Sequence, residues 1–468
     1  MKKLAYCSII TMLVLMLIGL CFLSTPASAK QFPFLRPIIF VHGGSGSGAQ
    51  FESQAMRFTS NGYPQNYIAV LEYDTSTTAP GQPIPPSFFT PIWAKLDLLI
   101  AALLTETGAN QVDILGHSLG TDVMYGYLTS SPSRAANVAH YVNIDGQANL
   151  PDGVPTLALW AGADPPAFLA MGPRTMPGAT NVTIPGVTHV ECATCAASFL
   201  QMYEFFTGQA PETTDILPEP SQHIRLAGRA VYFPQNSGVA NSTLEIYKVN
   251  GDTGARIDTN PEATYAIDAT GNWGPFMAKA GEHYEFVIVP QNFTPHHFYY
   301  EPFIRSDYLI RLLESPPGPT GLDYYTSKFT NQSNLVITRY RELWGDQGVN
   351  NDILAINGVN IVNAAICPLS SLINSVFVFD NGSESLSNLT EPIAFYAAIP
   401  FLTGVDLYIP GANPPDGRIR FVVMPRGGEG KLQVLNVPNW ASTTDRITIQ
   451  IRDFLQREDI PCGAGAKY

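Results

Sequence analysis

The chain has 468 residues, 26 basic against 39 acidic, for a net charge of −13, and that sign excludes nucleic acid as an expected partner. Only 14% of the residues are charged, beside 39 Gly and 38 Pro. Ordinary soluble domains carry about 25% charged residues, so the surface is expected to be neutral-polar and turn-rich, as suits an exported, β-containing protein. At roughly 150 residues per domain the length predicts two or three domains.

Lys2 and Lys3, the apolar run from Leu4 to Leu23 and the small-residue site Ala27-Ser28-Ala29 read as a secretory signal cleaved near Ala29. The expected location is secreted, extracellular or periplasmic. Leu20 stands before Cys21 where a lipobox wants a small residue, which argues against a lipid anchor. No later run approaches the roughly 20 apolar residues of a bilayer span, so no transmembrane segment is expected in the mature chain. The mature chain keeps Cys192, Cys195, Cys367 and Cys462. Their pairing is open, and the Cys192–Cys195 spacing, with no second ligand pair, predicts a local disulfide or free thiols in place of a zinc site.

From Arg36 to about Gly208, strand-like runs alternate with helix-like stretches, the pattern of an α/β domain with a parallel sheet. The expected strands are Pro37–Val41, Tyr67–Glu72, Val112–Leu115, Ala139–Ile144, Pro155–Trp160 and Asn181–Ile184. A helix is predicted after Phe51, ending near Gly62. A second is predicted with Thr90 as cap and Pro91 in its first turn, carrying Ile92, Leu96, Leu99 and Leu103 at helical spacing up to Gly108. The expected organisation is a catalytic domain over 30–209, a Pro/Thr/acid-rich linker over 210–222, a small β-sandwich over 223–289 and a β-rich C-terminal region over 290–468. In the β half the period falls to two, as in Leu244–Val249 and Tyr284–Val289. Further runs stand at Leu335–Arg339, Ser375–Phe379, Ile419–Met424 and Arg446–Ile451, and turns are signalled by Asn250-Gly251, Asn357-Gly358 and Asn381-Gly382.

The sharpest chemical signal is Gly116-His117-Ser118-Leu119-Gly120 between an expected strand and helix. That G-x-S-x-G turn forces its serine into a strained, exposed position. A serine hydroxyl needs a base, and the base needs an acid that holds its tautomer. In this fold the order is Ser, acid, His. His189, in the loop Pro185–His189 after the last strand, is the expected base, because His140 starts its strand. Two acids compete: Asp145 ends the strand Ala139–Ile144, and Asp164 follows the next one. Oxyanion donors are expected at the amides of Leu119 and Gly44, the latter in the loop His42-Gly43-Gly44. That loop has a rival reading as a dinucleotide fingerprint, Gly44-x-Gly46-x-x-Ala49 with Glu72 as ribose acid, which leaves Ser118 and His189 unexplained. A nucleotide-hydrolase phosphate loop is excluded, because Ala49-Gln50 stands where Lys-Ser/Thr is needed. Phe88, Phe89 and Trp93 are the local candidates for an acyl-binding surface. His296-His297 is a poor metal clamp, since neighbours in a strand face opposite ways. No metal or organic cofactor is required by this chemistry.

Val41-His42-Gly43-Gly44, Gln50–Phe58, Asn61-Gly62-Tyr63-Pro64, Gly116–Thr121, Ile144-Asp145-Gly146 and Thr188-His189-Val190 resemble the secreted α/β-hydrolase lipase/carboxylesterase family typified by the Archaeoglobus fulgidus lipase. Tyr284-Glu285-Phe286, Arg339-Tyr340 and Ile366–Leu369 resemble its β half. The resemblance implies an α/β hydrolase followed by an all-β C-terminal region, of sandwich or barrel type, that helps bind acyl chains. It implies Ser118 as nucleophile, His189 as base, Asp145 in preference to Asp164 as acid, and Gly44 with Leu119 as oxyanion donors. The family's long helical insertion is missing, only Asp74–Thr90 standing in its place, which implies no large helical lid and a more open site. The expected function is a serine ester hydrolase, a triacylglycerol lipase or carboxylesterase, whose partner is a lipid or other ester substrate with transient contact to a lipid interface or polymer. The alternatives are a polyester or cutin-type hydrolase and, from another class, an exported binding or adhesion protein with an idle hydrolase fold.

Overall fold

The computed structural model describes residues 35–78, 83–164, 175–291, 293–382, 385–427 and 432–452. The expected signal, its cleavage site and Cys462 lie outside the described residues. Six short strands form one sheet: β1 (Ile38–Val41), β2 (Ile68–Leu71), β3 (Val112–His117), β4 (Val138–Ile144), β5 (Thr156–Ala161) and β6 (Thr180–Ile184). All pairs are parallel, in the order β2-β1-β3-β4-β5-β6. Crossover helices cover both faces, and this is why β1, β3 and β5 are buried along their whole length. The fold is an α/β hydrolase core, with each strand within a residue or two of its expected place.

Alternation along β1 assigns the two layers. Ile39 and Val41 face the cluster of α2 (Pro86–Thr107) and α3 (Leu119–Ser130). Phe40 stacks on Phe51 at 4.9 Å and reaches Phe58 of α1 (Glu52–Ser60), which packs in turn on Phe199 and Phe206. Helix α2 begins at Pro86, one turn before the predicted cap at Thr90, so Pro91 lies inside it. Proline lacks the N–H that would complete the helical bond at that position, and the favourable first-turn site is taken by Pro86 instead. This 22-residue helix is long and apolar enough by composition to cross a membrane, but it packs on the sheet through Ile92, Leu96, Ile100 and Leu103. It stops at Gly108, whose φ of +69 is the left-handed conformation glycine adopts most readily. A short helix α4 (Pro132–Ala136) follows α3, and α5 (His189–Thr194) and α6 (Ala196–Thr207) close the domain.

The β half contains β7 (His223–Tyr232), β8 (Ser237–Gly238), β9 (Ser242–Val249), β10 (Ala263–Ile267), β11 (Asn272–Lys279), β12 (His283–Pro290), β13 (His296–Tyr300) and β14 (Asp307–Glu314). Then come β15 (Leu335–Arg339), β16 (Ile353–Ile356), β17 (Val359–Asn360), β18 (Ser375–Phe379), helix α7 (Ala394–Ala397), β19 (Leu402–Asp406), β20 (Arg418–Met424), β21 (Gln433–Pro438) and β22 (Arg446–Ile451). One eight-stranded sheet, β10-β9-β12-β13-β22-β15-β18-β19, runs across the expected boundary at 289/290. The sheet β11-β7-β14 packs on its first half around Leu226, Ile246, Phe286 and Ile310. The sheet β17-β16-β20-β21 packs on its second half around Leu354, Phe421, Ile337 and Ile449. Strand β13 belongs to both layers, with Phe298 and Tyr300 in the first core and Tyr299 in the second.

The adjacent histidines on β13 therefore diverge. His296 bonds Glu314 and Thr448, while His297 bonds Glu285 and Asp445 under a stacked Trp440. They are core-packed and share no ligand direction. Among the described residues Cys192, Cys195 and Cys367 form no disulfide with one another, and the amide of Ser198 donates to the Cys195 sulfur at the start of α6.

Candidate active site

Each strand that carries a predicted residue delivers it to the same edge of the parallel sheet. After β1, the loop His42–Gly46 turns across the end of β3. A Cβ on Gly43 would lie 2.9 Å from the Ser118 Cβ, so only glycine lets this backbone approach the serine so closely. His42 stacks on Tyr73 with ring centroids 4.2 Å apart, and its Nδ1 lies 2.9 Å from the Gly43 carbonyl, so it organises the loop. The middle of the chain also holds the loop: Asn236, in the turn between β7 and β8, donates to the carbonyls of Gly46 at 2.9 Å and Tyr73 at 3.0 Å. Glu72 accepts from the Gly48 amide and from Arg311 at 2.6 Å. It is engaged with the β half, which removes the group the dinucleotide reading required.

Ser118 sits between β3 and α3 at φ 52, ψ −123. A non-glycine residue with positive φ is held only when its surroundings over-determine it. Here its amide donates to the Ile144 carbonyl at 3.0 Å, and its carbonyl accepts from the Thr121 hydroxyl at 2.6 Å. The flanking glycines are required by contact: a Cβ on Gly116 would meet the Gly120 carbonyl at 2.6 Å, and one on Gly120 would meet that of Val41 at 2.4 Å. Leu119 opens α3, so its amide lies at a helix N-terminus next to the Gly43-Gly44 loop.

His189 opens α5 and is buried. Its Nδ1 lies 2.6 Å from an Asp145 oxygen, and the other Asp145 oxygen accepts the Ala161 amide at 2.9 Å. Both carboxylate oxygens are thereby fixed. Asp164 is the second acid in reach: Asp145, Asp164 and His189 each place a ligand atom within 4.8 Å of the others, close enough to hold a metal ion. Burial alone would lower the His189 pKa, but the Asp145 hydrogen bond and charge, aided by Asp164 and Glu342, outweigh it and raise the value. His117 behaves oppositely. Burial, with His189 beside it, pushes it down to about 3. It stays neutral, its Nε2–H donating to the His189 carbonyl at 3.0 Å while its Nδ1 accepts from Gln50 at 2.7 Å.

Ser118, His189, Gly43 and Gly44 line one cavity of about 270 Å³. Its far wall comes from the β half: Val336, Phe377, Ile399, Phe401 and Leu402, with Leu313 and Phe298 alongside. Phe401 stacks over His189 with centroids 6.1 Å apart and planes 13° apart. The site is thus walled by the C-terminal strands, in place of the more open site the missing insertion implied. The cavity excludes the predicted acyl-binding residues. Phe88, Phe89 and Trp93 lie on α2, Phe88 meeting Phe89 edge to face and Phe89 stacking on Trp93, which also bonds the Val123 carbonyl over Gly126 of α3. Their periodicity on an apolar helix served helix packing. Sequence reasoning missed Asn236, Phe401 and Glu342, whose proximity to the site depends on contacts across 100 residues or more. His117 and Gln50 stood within quoted motifs, but no local pattern distinguished them.

A parallel sheet with a strained serine elbow after its third strand, and a paired histidine after its last, defines an α/β hydrolase. The comparisons sharpen this class: residues 35–135 match the family model of class 2 lipases, residues 222–317 that of the lipase C-terminal domain, and residues 321–455 a further C-terminal domain. The chain therefore carries a lipase domain followed by a lipase C-terminal domain, and it is an ester hydrolase. No curated protein matches it. Among solved structures it is similar to the lin2722 product of Listeria innocua, at 15% identity over 38% of this chain and 97% of that one, TM-score 0.29. It is also similar to carboxylesterase CesB of Bacillus subtilis, at 13% identity over 38% and 85% of the two chains, TM-score 0.27. For lipase B of Aspergillus fumigatus the figures are 12% identity, 38% and 54% coverage, and TM-score 0.27.

Proposed function

We propose that the protein is a secreted serine lipase or carboxylesterase that cleaves acyl esters through Ser118, His189 and Asp145. The observation that carries this reading is the strained Ser118 sharing one cavity with a buried His189 whose Nδ1 is 2.6 Å from Asp145. Ser118 Oγ attacks the ester carbonyl and His189 Nε2 takes its proton, while Asp145 holds the proton on Nδ1. The amides of Leu119 and Gly44 receive the developing oxyanion. The alcohol leaves with the proton from His189, and water activated by the same imidazole then releases the acid. The acyl chain lies against Phe377, Ile399 and Leu402 in the apolar part of the cavity. A fluorophosphonate is expected to label one site, and mass mapping should place the adduct on the peptide containing Ser118. Labelling elsewhere would remove Ser118 as the nucleophile, and no labelling at all would leave an idle binding fold as the better reading.

Because the base must be neutral to accept the serine proton, a raised His189 pKa moves the loss of activity to higher pH. The acid limb of kcat/KM is expected to have its midpoint above the ordinary histidine value of about 6.5. A midpoint below it would mean that burial prevails over Asp145.

Contact with aggregated substrate is supported by a group of exposed aromatics. Tyr324, Tyr325, Phe329 and Phe395 are 58%, 42%, 45% and 39% exposed, and Tyr325 stacks on Phe395 at 4.0 Å. They sit on the segments that supply Leu322, Thr326 and Ile399 to the cavity wall. The two tyrosines, large rings with a polar tip, suit an apolar–water boundary, and the two phenylalanines extend the apolar area beside them. Replacing Tyr325 and Phe395 by serine is expected to lower activity on an emulsified triacylglycerol about tenfold or more, with hydrolysis of a dissolved short-chain ester unchanged. Equal losses on both substrates would refute the docking role.

A further inference from the structure

We infer that Glu342, a residue of the C-terminal β region, is a positioning residue for the catalytic histidine: it caps the helix that begins with His189 and holds the imidazole in register with Asp145. This rests on the reading of His189 as the base. Helix α5 has Thr188 as its N-cap residue, and that side chain makes no capping bond. A helix start leaves its first amides without internal partners, and the residue just before usually accepts one of them. Here the acceptor comes from the turn after β15: Glu342 Oε1 accepts the Val190 amide at 2.5 Å and Oε2 the Glu191 amide at 3.1 Å. The carboxylate is fully buried. Its negative charge faces the positive end of the helix, the favourable polarity.

The turn that presents Glu342 is itself fixed within the β half. The Leu343 amide donates to the Ile373 carbonyl at 2.7 Å, and the Glu342 carbonyl accepts from Arg426. Arg426 also reaches Asp352 at 2.7 Å, and Asp352 takes Arg339 at 3.0 Å. On the other side of α5, His117 of β3 holds the His189 carbonyl. The backbone of the base is therefore clamped between the hydrolase sheet and the C-terminal region, and Phe401 from the same region covers its ring.

Among the described residues, charged and titratable groups facing His189 include Asp145 after β4, Asp164 after β5, neutral His117 on β3 and Glu342 itself. Glu191, the next acid on α5, is paired with Arg341 at 2.7 Å and Arg426 at 2.5 Å. Burial and Glu191 push the Glu342 pKa up, and the Val190 amide opposes them. In its ionised form Glu342 adds to the field that favours protonated His189.

The test compares Glu342→Gln and Glu342→Asp with the full-length wild type, and uses His189→Ala as the control on the underlying reading. E342Q keeps size but loses charge, and its amide group would set a donor against one of the two helix amides. Its kcat is expected to fall about tenfold with KM little changed, and its acid limb to move down by about half a pH unit or more. E342D keeps the charge but is one methylene short, so it is expected to lose kcat while its acid limb stays in place. E342Q with wild-type kcat, or a kcat loss in folded E342Q with an unmoved limb, would overturn the inference. If E342Q fails to fold, E342D decides it by the same measurements: wild-type kcat refutes the cap. An active H189A would remove the reading of the base, whatever the Glu342 variants do.

Discussion

Ser118→Ala is expected to lower kcat on the order of a million-fold, the size of loss seen when the nucleophile of a serine triad is removed. KM should change far less, because the cavity wall from Val336 to Leu402 is untouched. The fold should survive the change. The Ser118 backbone is held by the Ile144 carbonyl and by the Thr121 hydroxyl and amide, bonds that alanine retains together with the Cβ. Loss of turnover and of fluorophosphonate labelling, with an unchanged unfolding midpoint, is the expected result. Turnover within tenfold of wild type would remove Ser118 from the chemistry.

Asp145→Asn should rank second, with kcat lowered about ten-thousand-fold, as expected when the acid of a triad becomes an amide. The reason lies in the second oxygen of Asp145. The Ala161 amide donates to it at 2.9 Å, so in the variant the Asn oxygen must face that donor and the NH2 group must face His189 Nδ1. A neutral imidazole then accepts at Nδ1 and carries its proton on Nε2, the wrong tautomer for a base toward Ser118. Asp164→Asn should behave differently. Its carboxylate lies within 4.8 Å of the pair and contributes to the raised His189 pKa through its charge, so kcat should fall by less than about tenfold while the acid limb moves to lower pH. The reverse ranking in single-turnover kinetics would make Asp164 the orienting acid.

The ambiguity between these aspartates shows where the sequence became indecisive. Each follows a strand of the same parallel sheet at the same edge, and the strand pattern places both near the last loop. The choice turns on a side-chain direction set by the φ of +47 at Asp145 and by the amide of Ala161 on the neighbouring strand. Neither is a property of the local string. The acyl-binding expectation failed for a related reason. Phe88, Phe89 and Trp93 are as apolar as a substrate wall should be, and equally suited to packing one helix on another. The neighbour at Gly126 decided the matter by leaving Trp93 room to lie on α3.

The low fraction of charged residues and the abundant Gly and Pro pointed to a turn-rich β region, and the eight-stranded sheet and its two partner layers bear this out. The boundary at 289/290 could not be read correctly because period-two alternation marks a strand but not its partner. Strand β13 pairs with β12 on one edge and with β22, whose paired residues lie 150 positions later, on the other.

By itself the sequence determined the α/β core, the serine elbow and the histidine loop. These depend on short-range rules: apolar runs of strand length, glycines where a Cβ would collide, and a fixed order of residues along one sheet edge. Tertiary structure alone decided which aspartate meets His189, which residues wall the cavity and that Glu342 caps the helix that begins at His189. Those outcomes require side chains distant in sequence to meet within hydrogen-bond or van der Waals distance, and only the packing of the β half against the hydrolase core brings them there.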